Sequence, residues 1–296
     1  MNMKKNVLNN IRKAMRSSGV IAASKALKKA GRKSVLFGRE AKPISHAIRS
    51  ALEANGCWSE DWSRVKAAGG FDPVRVWRTG FLGDVVLGKF RRTSEVEKGV
   101  TFANGVYDSV VANCEIDDAL VTAVKLLSNY VVKKGVVLSN CGTVAVTGET
   151  DFGNGRELPI AIETGGRETR IFGEMSCVDA EWIGRSRDDK NFLAAVNKLV
   201  DAYVDAVKTS KGTIEAGAVV RNTPRVENVY VGKAAVIDGA TLVQNATLLS
   251  AGDEQTEVLT GAFVRNSILQ WGCEVASMAI VDKSLLTEHT HVERDG

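Results

Sequence analysis

The chain contains three histidines, and two of them lie close together near its C-terminal end. Imidazole is the side chain best suited to accept a proton near neutral pH, so a histidine could act as general base toward an amine or hydroxyl acceptor. His46 falls in a predicted N-terminal helix, where a surface role is expected. His289 and His291 are therefore the candidate bases. Whether either can act as a base depends on which residues the fold places beside it.

A repeated phrase in the sequence predicts that fold. An aliphatic residue, any residue and then Asn recur, with another aliphatic residue five or six places on; the phrase occurs at Val111-Ala112-Asn113, Leu127-Ser128-Asn129, Leu138-Ser139-Asn140, Val220-Arg221-Asn222, Val226-Glu227-Asn228, Val243-Gln244-Asn245 and Val264-Arg265-Asn266. This period is typical of a hexapeptide parallel β-helix, with three short strands in each coil. Asn falls at the turns because it tolerates the left-handed backbone conformation, so these amides are turn formers rather than ligands.

The spacing of the aliphatic residues also predicts the register between coils. The inward positions after the helical segment are Ile214, Val220, Val226, Val231, Ile237, Val243 and Leu249, then an insertion at 250–257, then Val258, Val264, Leu269, Val275, Val281, Leu286 and Val292. Equivalent positions in successive coils are separated by a constant number of residues. The separation of Val258 from Val275 equals that of Val275 from Val292. Successive coils should stack at the spacing of parallel strands, about 4.8 Å.

This register places the candidate bases beside possible partners. His291 lies over Glu274, His289 over Gly272 and Glu288 over Trp271. A carboxylate one strand away could orient the His291 imidazole and raise its basicity, so His291, Glu274 and His289 form the predicted catalytic set. The alternative is a solvated cross-strand pair, which contributes only about 0.2–1 kcal/mol to stability.

The hexapeptide pattern resembles the left-handed β-helix superfamily. That resemblance implies acyl transfer from acetyl-CoA or acyl carrier protein, with an outward-facing histidine as general base, sugar or sugar-nucleotide acceptors, and trimeric assembly. The competing interpretation is a non-catalytic solenoid that serves as a scaffold or binds a partner. Because fold does not determine function, the substrate class depends on the resemblance alone.

Four stretches are similar to one bacterial family known as a domain of unknown function with hexapeptide repeats. They are residues 53–62 (Glu53 to Trp62), Phe71-Asp72-Pro73, Asp151-Phe152-Gly153-Asn154-Gly155 and Gly165-Gly166-Arg167-Glu168. The resemblance covers roughly residues 40–296 and implies further coils beyond Gly296. An uncapped solenoid end would expose strand edge and core, so we expect either a fragment or a partner that covers that end.

Positive charge is concentrated at the N-terminus. The chain has 39 Lys and Arg and 35 Asp and Glu; residues 1–40 hold 11 basic residues and one acid, which leaves 28 basic and 34 acidic residues elsewhere. Residues 3–37 have helical periodicity and form a basic amphipathic extension, expected to be solvated, to contact an anionic membrane surface, or to act as an organelle transit peptide. Nucleic acid is not expected, because no aromatic residue precedes Phe37.

The pattern divides the chain into five segments. These are a basic helical extension (1–37), an N-terminal cap (38–70), a first β-helix section (71–155), an excursion (156–210) and a second β-helix section (211–296) that ends within a coil. The cap contains a helix from Pro43 and two tryptophans, Trp58 and Trp62, that are expected to seal the solenoid end. The excursion contains an amphipathic helix at 188–208. The helix stripe comprises Phe192, Val196, Leu199, Val200, Tyr203 and Val207.

Cysteine usage and hydropathy indicate the compartment. The five cysteines are odd in number and form no CxxC pair, so neither a zinc site nor a disulfide framework is predicted. No apolar run has the length of a membrane-spanning helix, and no secretory signal is evident. The sequence thus predicts a cytoplasmic protein without a metal site.

Overall fold

The computed structural model describes residues 3–31, 33–160 and 165–294. Residues 1, 2, 32, 161–164, 295 and 296 lie outside the described residues. They belong to the predicted segments 1–37, 156–210 and 211–296. The described chain is mainly β, with helices at its N-terminus and in one interruption. Its α-helices are α1 (Met3–Ser17), α2 (Gly19–Ala30), α3 (His46–Ala54), α4 (Cys177–Arg185) and α5 (Lys190–Val207).

The strands are short and fall on both sides of the interruption. Those before it are β1 (Lys42–Pro43), β2 (Trp58–Ser59), β3 (Val65–Ala67), β4 (Val76–Trp77), β5 (Gly80–Leu82), β6 (Val85–Leu87), β7 (Thr93–Glu97), β8 (Val100–Ala103), β9 (Gly105–Tyr107), β10 (Val110–Ala112), β11 (Glu115–Ile116), β12 (Leu120–Ser128), β13 (Tyr130–Val132) and β14 (Val137–Ala145). The interruption contains the hairpin of β15 (Glu157–Pro159) and β16 (Glu168–Arg170). Those after it are β17 (Gly212–Ile214), β18 (Val219–Arg221), β19 (Arg225–Val231), β20 (Val236–Asp238), β21 (Leu242–Leu248), β22 (Glu257–Leu259), β23 (Phe263–Arg265), β24 (Ile268–Leu269), β25 (Glu274–Val275), β26 (Ile280–Asp282), β27 (Leu285–Leu286) and β28 (His291–Val292).

Within the described residues, 24 of these strands form one sheet, and its pairings are parallel apart from that of β1 with β3. The sheet begins before Phe71, where the sequence pattern placed its start. The strands before Phe71 that were not predicted include β2 and β3, two and three residues long. Strands β7 and β8 form a separate antiparallel hairpin within the predicted first β-helix section.

Three ladders of paired aliphatic side chains form the core. The first ladder contains Val76, Val106, Val121, Leu138, Val220, Ile237, Val258, Val275 and Val292. The second ladder contains Phe81, Val111, Leu127, Val144, Val226, Val243, Val264 and Val281. The third ladder contains Leu87, Ile116, Val132, Ile214, Val231, Leu248, Leu269 and Leu286. Apart from Leu286 and Val292 these side chains are buried, and the chain visits the three ladders in a fixed order.

The predicted register is confirmed with one correction. Val258 pairs with Val275 and Val275 with Val292, as the constant interval predicted. The residue paired with Val231 is Leu248, however, and not Leu249. Leu249 is also buried, but its Cδ1 would lie 3.7 Å from a Cβ at Gly173 in the interruption. Leu249 is therefore an apolar residue that is covered from outside the ladder. In the sequence such a residue has the same appearance as an inward-facing one.

The N-terminal helices are packed against the body, contrary to the predicted solvated extension. Helices α1 and α2 contact α5, and their buried side chains include Val7, Ile11 and Val20. Tyr203 of α5 shares a hydrogen bond with Ser18, 3.1 Å between the two oxygens. The basic residues face outward because the apolar stripe of each helix has a partner that is distant in the sequence.

Helix α5 and the N-terminal cap match the predicted elements in most respects. The predicted stripe of α5 is buried except for Leu199, which is half-buried. Helix α3 begins after Ser45, whose Oγ accepts a hydrogen bond from Ile48 N at 3.3 Å. Pro43 does not open this helix, because it pairs with Lys66 in the sheet.

The two tryptophans of the cap have different surroundings. Trp62 covers Phe81 in the second ladder, with 6.1 Å between the ring centroids. Trp58 lies against Gly80 but remains 49% exposed. Of this pair, Trp62 alone has the predicted sealing position.

Candidate functional site

Strands β25 and β28 place the predicted base beside its predicted partner. Glu274 and His291 are directly paired in the parallel register. Their neighbours Val275 and Val292 belong to the first ladder, so strand alternation turns Glu274 and His291 to the outer face. His291 Nδ1 lies 3.6 Å from Glu274 Oε2. This is an ion-pair distance, slightly longer than a hydrogen bond.

His289 also has a carboxylate neighbour. Its backbone has φ of +58°, and its ring lies over Gly272, where a Cβ would come within 2.4 Å of Nδ1. Gly is required at that position because any larger residue would collide with the imidazole. His289 Nε2 lies 3.7 Å from Glu254 Oε1. The site thus contains two imidazole–carboxylate pairs, where the sequence predicted one.

Glu254 was missed because it lies in the insertion between β21 and β22. This insertion lengthens the spacing between paired positions from 17 to 21 residues. Its turn is closed by reciprocal backbone hydrogen bonds of 3.1 and 3.3 Å between Ala251 and Glu254, and Gly272 N donates to Glu254 O at 3.2 Å. The longer spacing indicates that residues leave the ladder at this level, although it does not show which one faces His289.

A third carboxylate extends the column. Glu257 pairs with Glu274 on the side opposite His291, which gives the order Glu257, Glu274, His291 on the outer face. The pKa of Glu257 is raised, first by burial and second by the negative charge of Glu274. The negative charge of Glu274 therefore disfavours the charged form of Glu257.

The surroundings of both pairs are open. The side chains of His289 and His291 are 64% and 65% exposed, whereas Glu274 is 33% exposed. His289 N donates to Trp271 O at 2.9 Å, which places residues 288 and 289 over 271 and 272 as predicted. Trp271 is half-buried and Glu288 is exposed. The patch can accept and donate protons, and it needs a covering surface to exclude water.

The remaining chemistry-bearing residues do not add to this site. His46 is exposed at the start of α3. Burial raises the pKa of the Cys114 thiol to about 12 and that of Cys141 to about 11, which makes both poor nucleophiles. In the part of the chain that the structure describes, no group of three or more His, Cys, Asp or Glu side chains is placed to hold a metal ion.

Among the described residues, no helix combines the length and the apolar character that crossing a bilayer requires.

Comparison with known proteins identifies the family but not an activity. A relative described as an uncharacterized protein of Treponema pallidum (strain Nichols) is 24% identical over 246 residues, which are 79% of this chain and 34% of the relative. The chain thus spans about a third of that relative's length. A family profile matches residues 42–295, which leaves outside it only the N-terminal helices, the segment that follows them and the last residue. The chain belongs to the family described as Domain of unknown function (DUF4954).

Proposed function

We propose that the three ladders are the three walls of a left-handed parallel β-helix. The fixed order in which the chain visits them, the recurrent spacing of 17 residues and the buried aliphatic side chains support this proposal. Left-handed Asn residues between the walls support it further, because each provides a tight bend at little steric cost. The handedness follows from the resemblance to the hexapeptide-repeat superfamily.

We further propose that the patch around His291 catalyses acyl transfer. The observation that carries this proposal is the pairing of His291 with Glu274. With Nδ1–H directed at the carboxylate, Nε2 remains the proton acceptor and faces solvent. The acceptor amine or hydroxyl forms a bond to the thioester carbonyl carbon as Nε2 takes its proton. The C–S bond then breaks, and the leaving thiolate recovers that proton.

The donor and acceptor follow from the same resemblance. The donor is acetyl-CoA or acyl carrier protein, and the acceptor is a sugar or sugar nucleotide. Since His289 and His291 are about two-thirds exposed, the patch requires cover during the reaction. A second copy of the chain in a homotrimer would supply it, which makes assembly part of the proposal.

Replacement of His291 by Ala tests this function. We expect release of free thiol from acetyl-CoA in the presence of glucosamine to fall about 10²–10⁴-fold, the usual contribution of a general base. Thermal stability should stay unchanged, because the side chain is exposed. His46→Ala is the matched control and should retain full activity. Equal rates for His291→Ala and the unmodified protein would exclude His291 as the base.

The second candidate is a non-catalytic scaffold, and the exposure of both imidazoles favours it. In this case no thiol release occurs with the unmodified protein. The apolar faces of α1, α2 and α5 are already packed together, so a partner would meet their charged outer faces. The basic outer face of residues 1–37 is then the surface that contacts an anionic partner or membrane.

A further inference from the structure

A cleft of about 910 Å³ lies far from the histidine patch, between the N-terminal segment and the start of the sheet. One side is formed by residues within 27–31 and 33–41, the floor includes Lys66 and Val86, and the other side is residues 208–211. The third ladder rises through six strand spacings of about 4.8 Å from Ile116, beside the cleft, to Leu286. The cleft is therefore roughly 29 Å from the histidines, and it is independent of the proposed transfer site.

Glu115 fixes the wall of this cleft. Its side chain is buried, with Oε2 accepting from Ser34 Oγ at 2.7 Å and from Leu36 N at 3.0 Å. Oε1 accepts from Val35 N at 3.0 Å. These three donors bind the Glu115 carboxylate, so it holds segment 34–36 in place.

The remaining charge of the cleft is positive. Its lining includes seven Lys or Arg residues and three acids. Arg64 pairs with Asp84 at 2.8 Å, and Lys208 with Glu149 at 3.2 Å. Lys28 donates to a backbone carbonyl oxygen. The other four basic residues are Lys33, Arg39, Lys66 and Lys211. Among the described residues, no carboxylate lies within 4 Å of any of these four.

Two of these cations are less exposed than the other two. Lys66 and Lys211 are half-buried, whereas Lys33 and Arg39 are exposed. Lys66 and Val86 are paired in the sheet, and Val86 is in turn paired with Glu115, so the floor is rigid strand rather than loop. A flat anionic membrane would reach the rim residues but not the floor. The arrangement suits a small ligand that enters the cleft.

We propose that this cleft binds a small molecule through a diphosphate or phosphate-ester group. The lining has seven basic and three acidic residues, a net charge of +4. This charge favours a ligand with more than one negative charge, which a single carboxylate does not provide and a diphosphate does. The cleft has the volume of a small-molecule site, typically about 300–1,000 Å³. Cations at the floor and at the rim would contact the ligand from two sides.

Binding of inorganic pyrophosphate to the full chain, measured by isothermal titration calorimetry, tests this proposal. We expect the Lys66→Ala/Lys211→Ala double variant to weaken binding by about tenfold or more, as expected for loss of charge-assisted hydrogen bonds. The matched control is Lys125→Ala/Lys233→Ala, which removes two exposed lysines outside the cleft. This control should bind pyrophosphate as the unmodified protein does.

Three outcomes would overturn the proposal. They are absence of pyrophosphate binding, equal weakening in both double variants, and citrate binding as tight as that of pyrophosphate. A fourth arm uses phosphatidylserine vesicles: vesicle binding that depends on Lys66 and Lys211, without pyrophosphate binding, would assign the cations to a membrane instead. Thermal unfolding of both variants checks that the fold is retained.

Discussion

Seven asparagines place the chain in the left-handed conformation at its bends. Asn113, Asn129, Asn140, Asn222, Asn228, Asn245 and Asn266 all have positive φ. Several of their amides also bond from one level of the sheet to the next. Asn228 Nδ2 donates to Asn245 Oδ1 at 3.1 Å, and Asn245 Nδ2 donates to Asn266 Oδ1 at 3.2 Å. The same residue type therefore satisfies both the backbone geometry and the stacking of the bends.

Asn245 allows the two contributions to be separated. Asn245→Ala places at φ of +48° a residue that tolerates the left-handed conformation less well than Asn and removes both amide bonds, so we expect a loss of about 2–3 kcal/mol in the free energy of unfolding. Asn245→Gly keeps the backbone conformation and should lose about 1 kcal/mol. Guanidinium denaturation of both variants measures the difference. Equal losses would show that backbone conformation contributes nothing.

The residues of the histidine patch show where sequence prediction stops. The pairing of His291 with Glu274 was predictable because it depends on the constant interval between two regular strands. Glu254 was not, because its position depends on the conformation of an insertion that follows no repeat. The unpaired cations at Lys66 and Lys211 belong to segments that lie on opposite sides of the interruption in sequence, and no local pattern connects them.

At the scale of elements, the helices form a layer over the outside of the sheet. Glu174 lies at its centre, where Tyr203 of α5 donates to Oε2 at 2.7 Å and also bonds to Ser18 between α1 and α2. The sequence periodicity predicted α5 and the helical character of α1 and α2, but it extended the helical segment to residue 37, whereas α2 ends at Ala30, and α4 was not predicted. It did not predict that α1 and α2 pack on α5, because an apolar stripe shows that a face is buried and not what covers it.

Glu174 gives this layer a pH-dependent stability. Burial raises its pKa above the ordinary value of 4.5, although hydrogen bonds from Tyr203 and Ser18 oppose the shift. A raised pKa in the folded state favours the protonated form, so the stabilising contribution is full below pH 4.5 and is lost as the pH rises through the folded pKa. We expect Glu174→Gln to unfold at a higher temperature than the unmodified protein at neutral pH.

The comparison of Glu174→Gln with the unmodified protein should be made by circular dichroism across the acidic to neutral range. The two melting temperatures should converge below pH 4.5, because both side chains are then uncharged. Glu60→Gln, a change at an exposed glutamate, is the control and should melt in parallel with the unmodified protein. A constant difference at all pH values would indicate a packing effect instead of titration.

At the scale of the whole molecule, the ladders continue across the interruption without a change of register. Val132 pairs with Ile214, Leu138 with Val220 and Val144 with Val226. Each of these pairs spans 82 residues, compared with 17 in the regular part, so the whole interruption is accommodated within one level of the sheet. The strand pairing of the sheet is therefore independent of the helical layer.

This independence predicts the result of two deletions. Removal of residues 146–210 joins Ala145 to Lys211 and leaves Val144 five residues from Ile214, the same spacing as between Leu127 and Val132. Lys211→Asn then supplies the residue type found at the preceding bend, Asn129. We expect this variant to keep a β-type circular dichroism spectrum. It should self-associate, however, because the apolar stripes of α1 and α2 lose their cover.

Deletion of residues 1–31 in the same variant should restore a single species in analytical ultracentrifugation. The reason is that Val7, Ile11, Val20 and Ile21, which are buried in the intact chain, are then absent together with the helix that covers them. Deletion of residues 1–31 alone exposes the opposite face, on α5, and should also cause self-association. If the double deletion also self-associates, the sheet requires the helical layer for its own integrity, and the two parts are not separable.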